Sequence, residues 1–245
     1  MADPAKFSPL ELTGRARTHV VELEEPRCTL HRDVVQPFLA LRAAAATAGI
    51  DLVAVSSFRD FQRQQLIWNG KCRGERELLD REGLRMDPAQ LDPDGLVYAI
   101  LLWSALPGAS RHHWGTDMDV IDAAAIAVGQ AVRLEPAQYA PGGCFGRLNQ
   151  WLDQNAMKYG FYRPYAVDRG GVHPEPWHLS FAPVAQQALA EFSIEVLDDA
   201  LASEGIDALD AVRRHLPEIV ARYVRNVDVM RDAPPAELIP GTRLA

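Results

Sequence analysis

The chain has 245 residues, is 48% hydrophobic and carries a formal net charge of −8. That length and apolar content suffice for one large domain, or one domain with an appendage. An acidic chain without a basic run argues against nucleic acid or an anionic membrane surface as partner, and no apolar run approaches the roughly 20 residues of a transmembrane segment.

The first residues, MADPAKFSPLELTGRARTHV, lack the apolar centre of a signal peptide. As encoded, a cytoplasmic location is expected, with periplasmic or released action as the alternative. Cys28, Cys72 and Cys144 are odd in number, far apart and without CxxC spacing. A disulfide framework or a four-cysteine zinc site is therefore not expected.

From Arg32 to Gly49, Val34, Phe38, Leu41, Ala45 and Ala48 follow helical spacing, with Gly49 as the stop. The β-branched run IDLVAVSSF then predicts a strand through Leu52, Val53 and Val55. A turn at SSFRD leads into a helix over FQRQQLIW, with Asp60 as its cap. Residues 70–95 are charged and rich in Gly, Asp and Pro, and read as an excursion holding a short helix near Glu75 to Asp80. GLVYAILLWSAL reads as a buried helix, and PGAS as a turn.

TDMDVID alternates, with Asp117, Asp119 and Ile121 on one face and Met118 and Val120 on the other, which is the period of a strand. Residues 145–159 read as an amphipathic helix, RPYAVDRGGVHPEP as a loop, and WHLSF as a second alternating strand with His178 and Ser180 on one face. After Pro183, Val184, Ala188, Phe192 and Val196 form one helical stripe, and Ile219, Tyr223 and Val227 another. The expected architecture is α+β: a small, mostly antiparallel sheet with packed helices over residues 1–182, and a helical appendage over residues 183–245 whose last dozen residues are a tail.

Of the histidines, His19, His31 and His215 stand alone and read as ordinary surface or hydrogen-bonded side chains. His112, His113, His173 and His178 cluster with carboxylates in two places. His112 lies seven residues before Asp119, and Gly115 between them lets the backbone bend back tightly. Glu175 lies three residues before His178, across Pro176. Two imidazoles and one carboxylate make a catalytic Zn2+ shell whose fourth position is left for water. A further carboxylate then serves as general base, and Glu175 suits that role.

Three motifs resemble a known family. SRHHWGTDMD matches Ser-x-His-x-x-Gly-x-x-x-Asp, EPWH matches Glu-x-Trp-His, and SSFRDFQRQ is similar to Ser-x-Tyr-Arg-Ser-x-x-x-Gln. Together, over residues 56–181, they resemble the zinc D,D-carboxypeptidases of the vancomycin-resistance type, a group that also includes L,D-carboxypeptidases and D-Ala-D-Ala dipeptidases. The resemblance implies zinc bound by His112, Asp119 and His178, with Glu175 as catalytic acid/base. It also implies a substrate held by Arg59 and Ser110, with Gln64 in support. A guanidinium fork suits a terminal carboxylate. The implied substrate is a peptidoglycan stem peptide or muropeptide that loses a C-terminal D-alanine.

The chain departs from the family at position 117, usually small and apolar and here Asp117, which stands either behind a ligand or in competition as one. His113 and His173 are further oddities, read as covering the turn and as a loop residue. The alternatives are a D-Ala-D-Ala dipeptidase, for which Pro176 replaces the usual tryptophan, a peptidoglycan endopeptidase, and a non-catalytic zinc-stabilised binding module.

Overall fold

The strands expected around Val53, Val120 and Leu179 pair with one another in a single antiparallel sheet. The computed structural model describes residues 6–127, 131–202, 205–230 and 239–240. The chain begins with a single helical turn α1 (Pro9–Leu12) and a hairpin of β1 (Val20–Leu23) and β2 (Cys28–His31). Helix α2 (Val35–Thr47), strand β3 (Leu52–Ser56) and helix α3 (Phe61–Cys72) follow as the apolar spacing predicts. Asp60 caps α3, its carboxylate accepting from the Arg63 N–H at 2.7 Å.

The charged excursion is a hairpin rather than a helix. Strands β4 (Leu78–Leu79) and β5 (Arg85–Met86) pair antiparallel. Asp80 closes the turn by accepting from the N–H groups of Glu82 and Leu84. Aspartate at the start of a turn and Gly83 at φ +78° favour that closure over a helix. Helix α4 (Pro93–Leu101) starts at an Asp92 cap and stops earlier than the apolar run suggests.

Strand β6 (Asp117–Asp122) is buried along its whole length. It is followed by the turn α5 (Pro136–Tyr139), helix α6 (Gly146–Asn155), and strands β7 (Phe161–Tyr162) and β8 (His178–Phe181). The main sheet has the order β3-β6-β8-β7, antiparallel throughout. The fold class is thus α+β, as expected.

Past β8 the expected continuous stripe is two helices. Helix α7 (Ala182–Glu191) ends before Phe192, and Ser193 caps α8 (Ile194–Leu201). Two short helices, α9 (Leu209–Arg214) and α10 (Leu216–Ile219), lead into a five-residue π-type turn over Val220–Val224. The expected tail falls largely outside the described residues. No described helix is long and apolar enough to cross a membrane.

These C-terminal helices share the core of the rest. Leu101, Leu106 and Ala109 line one small cavity together with Ile219, Tyr223 and Val224, and all six belong to one buried apolar cluster. Trp68 of α3 donates its indole N–H to the Asp207 carbonyl at 3.0 Å. Asp228 grips the loop between β7 and β8: its carboxylate accepts from the Ala166 N–H and the Arg169 guanidinium, and its own N–H donates to Pro164.

The histidines that seemed isolated are partnered. His19 and His31 are buried side by side with ring centroids 5.9 Å apart, between Phe7 and Phe58. His19 donates to the His113 carbonyl at 2.9 Å. His215 lies 3.2 Å from Asp94.

Fully burying one large apolar side chain contributes about 1.5–3 kcal/mol, and a whole domain is stable by only about 5–15 kcal/mol. A chain ending at residue 182 would uncover Trp68, Leu101 and Leu106 together. Such a truncated protein is expected to show no cooperative thermal transition by circular dichroism and to aggregate on a sizing column.

Candidate active site

The site is built on one row of the sheet. Register pairs Ser56 of β3 with Asp119 of β6, and Asp119 with His178 of β8. A bulge between Ala54 and Ser56 re-aims the end of β3 toward that row. His112 comes from a single 3₁₀ turn, Arg111–Trp114, just before β6. Gly115 ends that turn at φ +68°. A Cβ there would stand 2.7 Å from the backbone nitrogen of His31, so only glycine lets β2 donate to the Gly115 carbonyl at 2.8 Å.

His112, Asp119 and His178 present ligand atoms that all lie within 4.8 Å of one another, and all three residues are buried. His112 Nδ1 donates to the Ser57 carbonyl at 3.0 Å, which leaves the Nε2 lone pair facing Asp119 Oδ2 at 3.5 Å. His178 Nδ1 lies 3.3 Å from Asp119 Oδ1 and 3.1 Å from Glu175 Oε2. Asp119 Oδ1 is buried without a hydrogen-bond donor in position. An unsatisfied buried carboxylate oxygen between two imidazoles is a place that calls for a cation. Two nitrogen donors and one oxygen donor match the ligand chemistry of catalytic zinc.

The electrostatics agree. Burial pushes the His112 imidazole down to about 3, so it is neutral, as a ligand must be. Burial opposes ionisation of Asp119, but His112, His178 and Arg59 outweigh it and hold the carboxylate at about 2. Burial raises Glu175, opposed by His178 and Arg59. A raised carboxyl beside a metal cluster is suited to taking and returning a proton.

These groups open on a cleft of about 890 Å³. Arg59 lines it, with one terminal nitrogen donating to Gln64 Oε1 at 2.8 Å and the other to Ser56 Oγ at 2.9 Å. Gln64 is buried behind it and donates to the Ala105 carbonyl at 2.7 Å. Gln64 is thus a brace for the guanidinium. Ser110 lines the cleft, and its hydroxyl is not used to cap the 3₁₀ turn.

Every residue singled out from the motifs therefore converges here, and three open questions are answered. Asp117 is not among the three converging donors: its Oδ1 sits behind His178, 2.9 Å from Nε2. His113 is fully buried and bridges the Arg59 carbonyl and the Gly108 N–H, so it supports the arginine from below. His173 stacks on Trp103 with centroids 4.1 Å apart, forming cleft wall. Sequence reasoning missed Arg111, Tyr162 and Tyr165. Arg111 is buried against Asp117, and Tyr165 packs edge-on against His178 with centroids 5.0 Å apart.

An open His–Asp–His cluster beside a carboxyl is the arrangement of a mononuclear metallohydrolase. The sequence profile of the D-alanyl-D-alanine carboxypeptidases of the VanY type matches residues 27–184. The chain belongs to this family. An uncharacterised protein of Haemophilus influenzae is 37% identical over 121 residues, covering 49% of this chain and 92% of that one. A D-alanyl-D-alanine carboxypeptidase of Enterococcus faecalis is 26% identical over 169 residues, covering 67% of this chain and 53% of that enzyme. A solved structure of a mutant vancomycin-resistance D,D-pentapeptidase VanY in complex with Zn(II) superposes with a TM-score of 0.47 at 23% identity, covering 66% of this chain and 77% of that one.

Burial also sets an acid limit on the metal-free protein. His31 and His113 are each pushed down to about 4 and His112 to about 3, against about 6.5 unfolded. Between those values the unfolded chain binds more protons, so stability rises with pH across that window. His178 is raised instead, so its linkage falls above 6.5, and Glu175 opposes the trend as a single group. Urea unfolding is expected to show stability falling as pH drops from about 6.5 toward 4.

Proposed function

We propose that this protein is a zinc-dependent carboxypeptidase that removes a C-terminal D-alanine from peptidoglycan stem peptides or muropeptides. The observation that carries the reading is the convergence of His112, Asp119 and His178 within 4.8 Å, with Glu175 3.1 Å from His178, in a cleft that also holds Arg59. Zn2+ held by His112, Asp119 and His178 would acidify a water molecule and polarise the scissile carbonyl.

The chain's own residues do the rest. Arg59, fixed by Gln64 and Ser56, binds the terminal carboxylate through the N–H groups those two residues leave free. Held there, the substrate's last peptide bond is presented beside Glu175. Glu175 accepts the proton from the attacking water and delivers it to the amine of the departing residue. Ser110 offers a hydroxyl to the bound peptide.

Two alternatives fit less well. A free dipeptide leaves most of an 890 Å³ cleft unused, whereas a stem peptide extends along it. A structural zinc site has no need of a buried carboxyl beside it and closes its fourth position.

The test is digestion of defined pentapeptide and tetrapeptide muropeptides, read by mass spectrometry. Loss of one D-alanine from the pentapeptide is expected with the zinc-loaded wild type, and trimming of the tetrapeptide alone would make the enzyme an L,D-carboxypeptidase. Glu175→Ala is expected to lower kcat about a hundredfold to ten-thousandfold while zinc stays bound. Arg59→Met is expected to act mainly on KM, and a substrate ending in a carboxamide to reproduce that loss. No cleavage of either muropeptide by a fully zinc-loaded protein would contradict the proposal.

A further inference from the structure

The two aspartates on the inner face of β6 are in opposite states. Asp119 Oδ1 has no hydrogen-bond donor. Asp117 has four: Arg111 Nε at 2.7 Å and His178 Nε2 at 2.9 Å on Oδ1, and the hydroxyls of Thr116 at 2.5 Å and Ser180 at 3.1 Å on Oδ2. Arg111 is locked in turn, donating to Ser180 Oγ at 2.7 Å and Tyr162 Oη at 3.1 Å, with its guanidinium over the Trp114 ring. Arg111, Thr116, Asp117, His178 and Ser180 are all buried. Cross-strand register makes the arrangement, because Asp117 pairs with Ser180 and Asp119 with His178.

A carboxylate with four donors has no lone pair left for a cation. Asp117 also lies at the opposite ring nitrogen of His178 from Asp119. It therefore does not compete as a ligand. What it can do is hold the Nε2 proton of His178, so that Nδ1 keeps its lone pair toward His112 and Asp119.

We infer that Asp117, clamped by Arg111, is a positioning residue that fixes the tautomer and ring orientation of His178 and so sets the affinity of the metal site. This rests on the reading of His178 as a ligand. Arg111 supplies direction as well as charge. It holds Asp117 Oδ1, the same oxygen that accepts from His178 Nε2, so an amide at position 117 keeps its oxygen toward both and turns its NH2 to Thr116 and Ser180. With no acceptor at position 117, His178 would be free to carry its proton on Nδ1, where the metal binds.

The experiment compares zinc affinity, by chelator competition, for wild type, Asp117→Asn and the double variant Arg111→Met/Asp117→Leu, which removes the acceptor without leaving the guanidinium unpaired. Near-ultraviolet circular dichroism of each metal-free protein checks that it is folded. Asp117→Asn keeps an acceptor on His178 Nε2 and is expected to bind zinc nearly as tightly as the wild type. The double variant leaves Nε2 without that acceptor and is expected to bind zinc about 10–100-fold more weakly. A merely structural Asp117 predicts unchanged affinity in the folded double variant. On the wild type, nitrogen NMR of the cadmium-substituted protein is expected to show metal coupling to His178 Nδ1 and a proton on Nε2.

Unchanged affinity in a folded Arg111→Met/Asp117→Leu overturns the inference, as does a folded Asp117→Asn that binds no better than the double variant, or metal coupling through Nε2. A wild type that binds no zinc overturns the reading of the metal site itself.

Discussion

The site depends on strand register. A side chain on a strand changes face with every residue, so a slip of one position in β6 would exchange Asp119 for the buried Met118 or Val120. Register is held where slipping would be most costly: Leu52, Val120, Met118 and Leu179 are all fully buried on the apolar side. The apolar face thus secures the polar one. With Asp119 set between Ser56 and His178, the bulge in β3 and the left-handed Gly115 bring Arg59 and His112 to the same end of the sheet.

Charge is then concentrated where water is scarce, and the structure handles it in two ways. Around Asp117 the carboxylate oxygens are satisfied within the protein, by one guanidinium, one imidazole and two hydroxyls. Around Asp119 they are left incomplete, which is unfavourable for a folded chain on its own and favourable for one that binds a cation. Stability and function are coupled through this contrast. The loop bearing Glu175 shows the same coupling, because it is anchored by Asp228 from the C-terminal segment rather than by its own contacts alone.

The parts legible in the sequence were those with a strong local signal. TDMDVID and WHLSF alternate because each strand buries both faces differently, and Asp60 announces α3 because an N-cap is a one-residue decision. Strand β4 falls in the stretch Glu75 to Asp80 that is expected to be helical, because two-residue strands have no period to detect. The β1–β2 hairpin was missed because β1 is a largely exposed strand, VVEL, with little pattern. The stripe from Val184 to Val196 ran straight through the Ser193 cap, since apolar spacing alone does not register a break. Arg111 was invisible for another reason. Arginine is almost always exposed, and nothing near it in the chain reveals Ser180 and Tyr162 across the sheet. Asp117 could be placed on the correct face, but its role could not, because the guanidinium that saturates it reaches it only in the folded protein.

The central claim is the identity of the three ligands, and X-ray absorption spectroscopy of the protein loaded with one equivalent of zinc addresses it most directly. The account predicts a shell of nitrogen and oxygen alone, with the multiple scattering of two imidazoles, reduced to one imidazole in His178→Ala. Sulfur in the shell, drawn from Cys144 or another cysteine, or an imidazole count unaltered in His178→Ala, would contradict it.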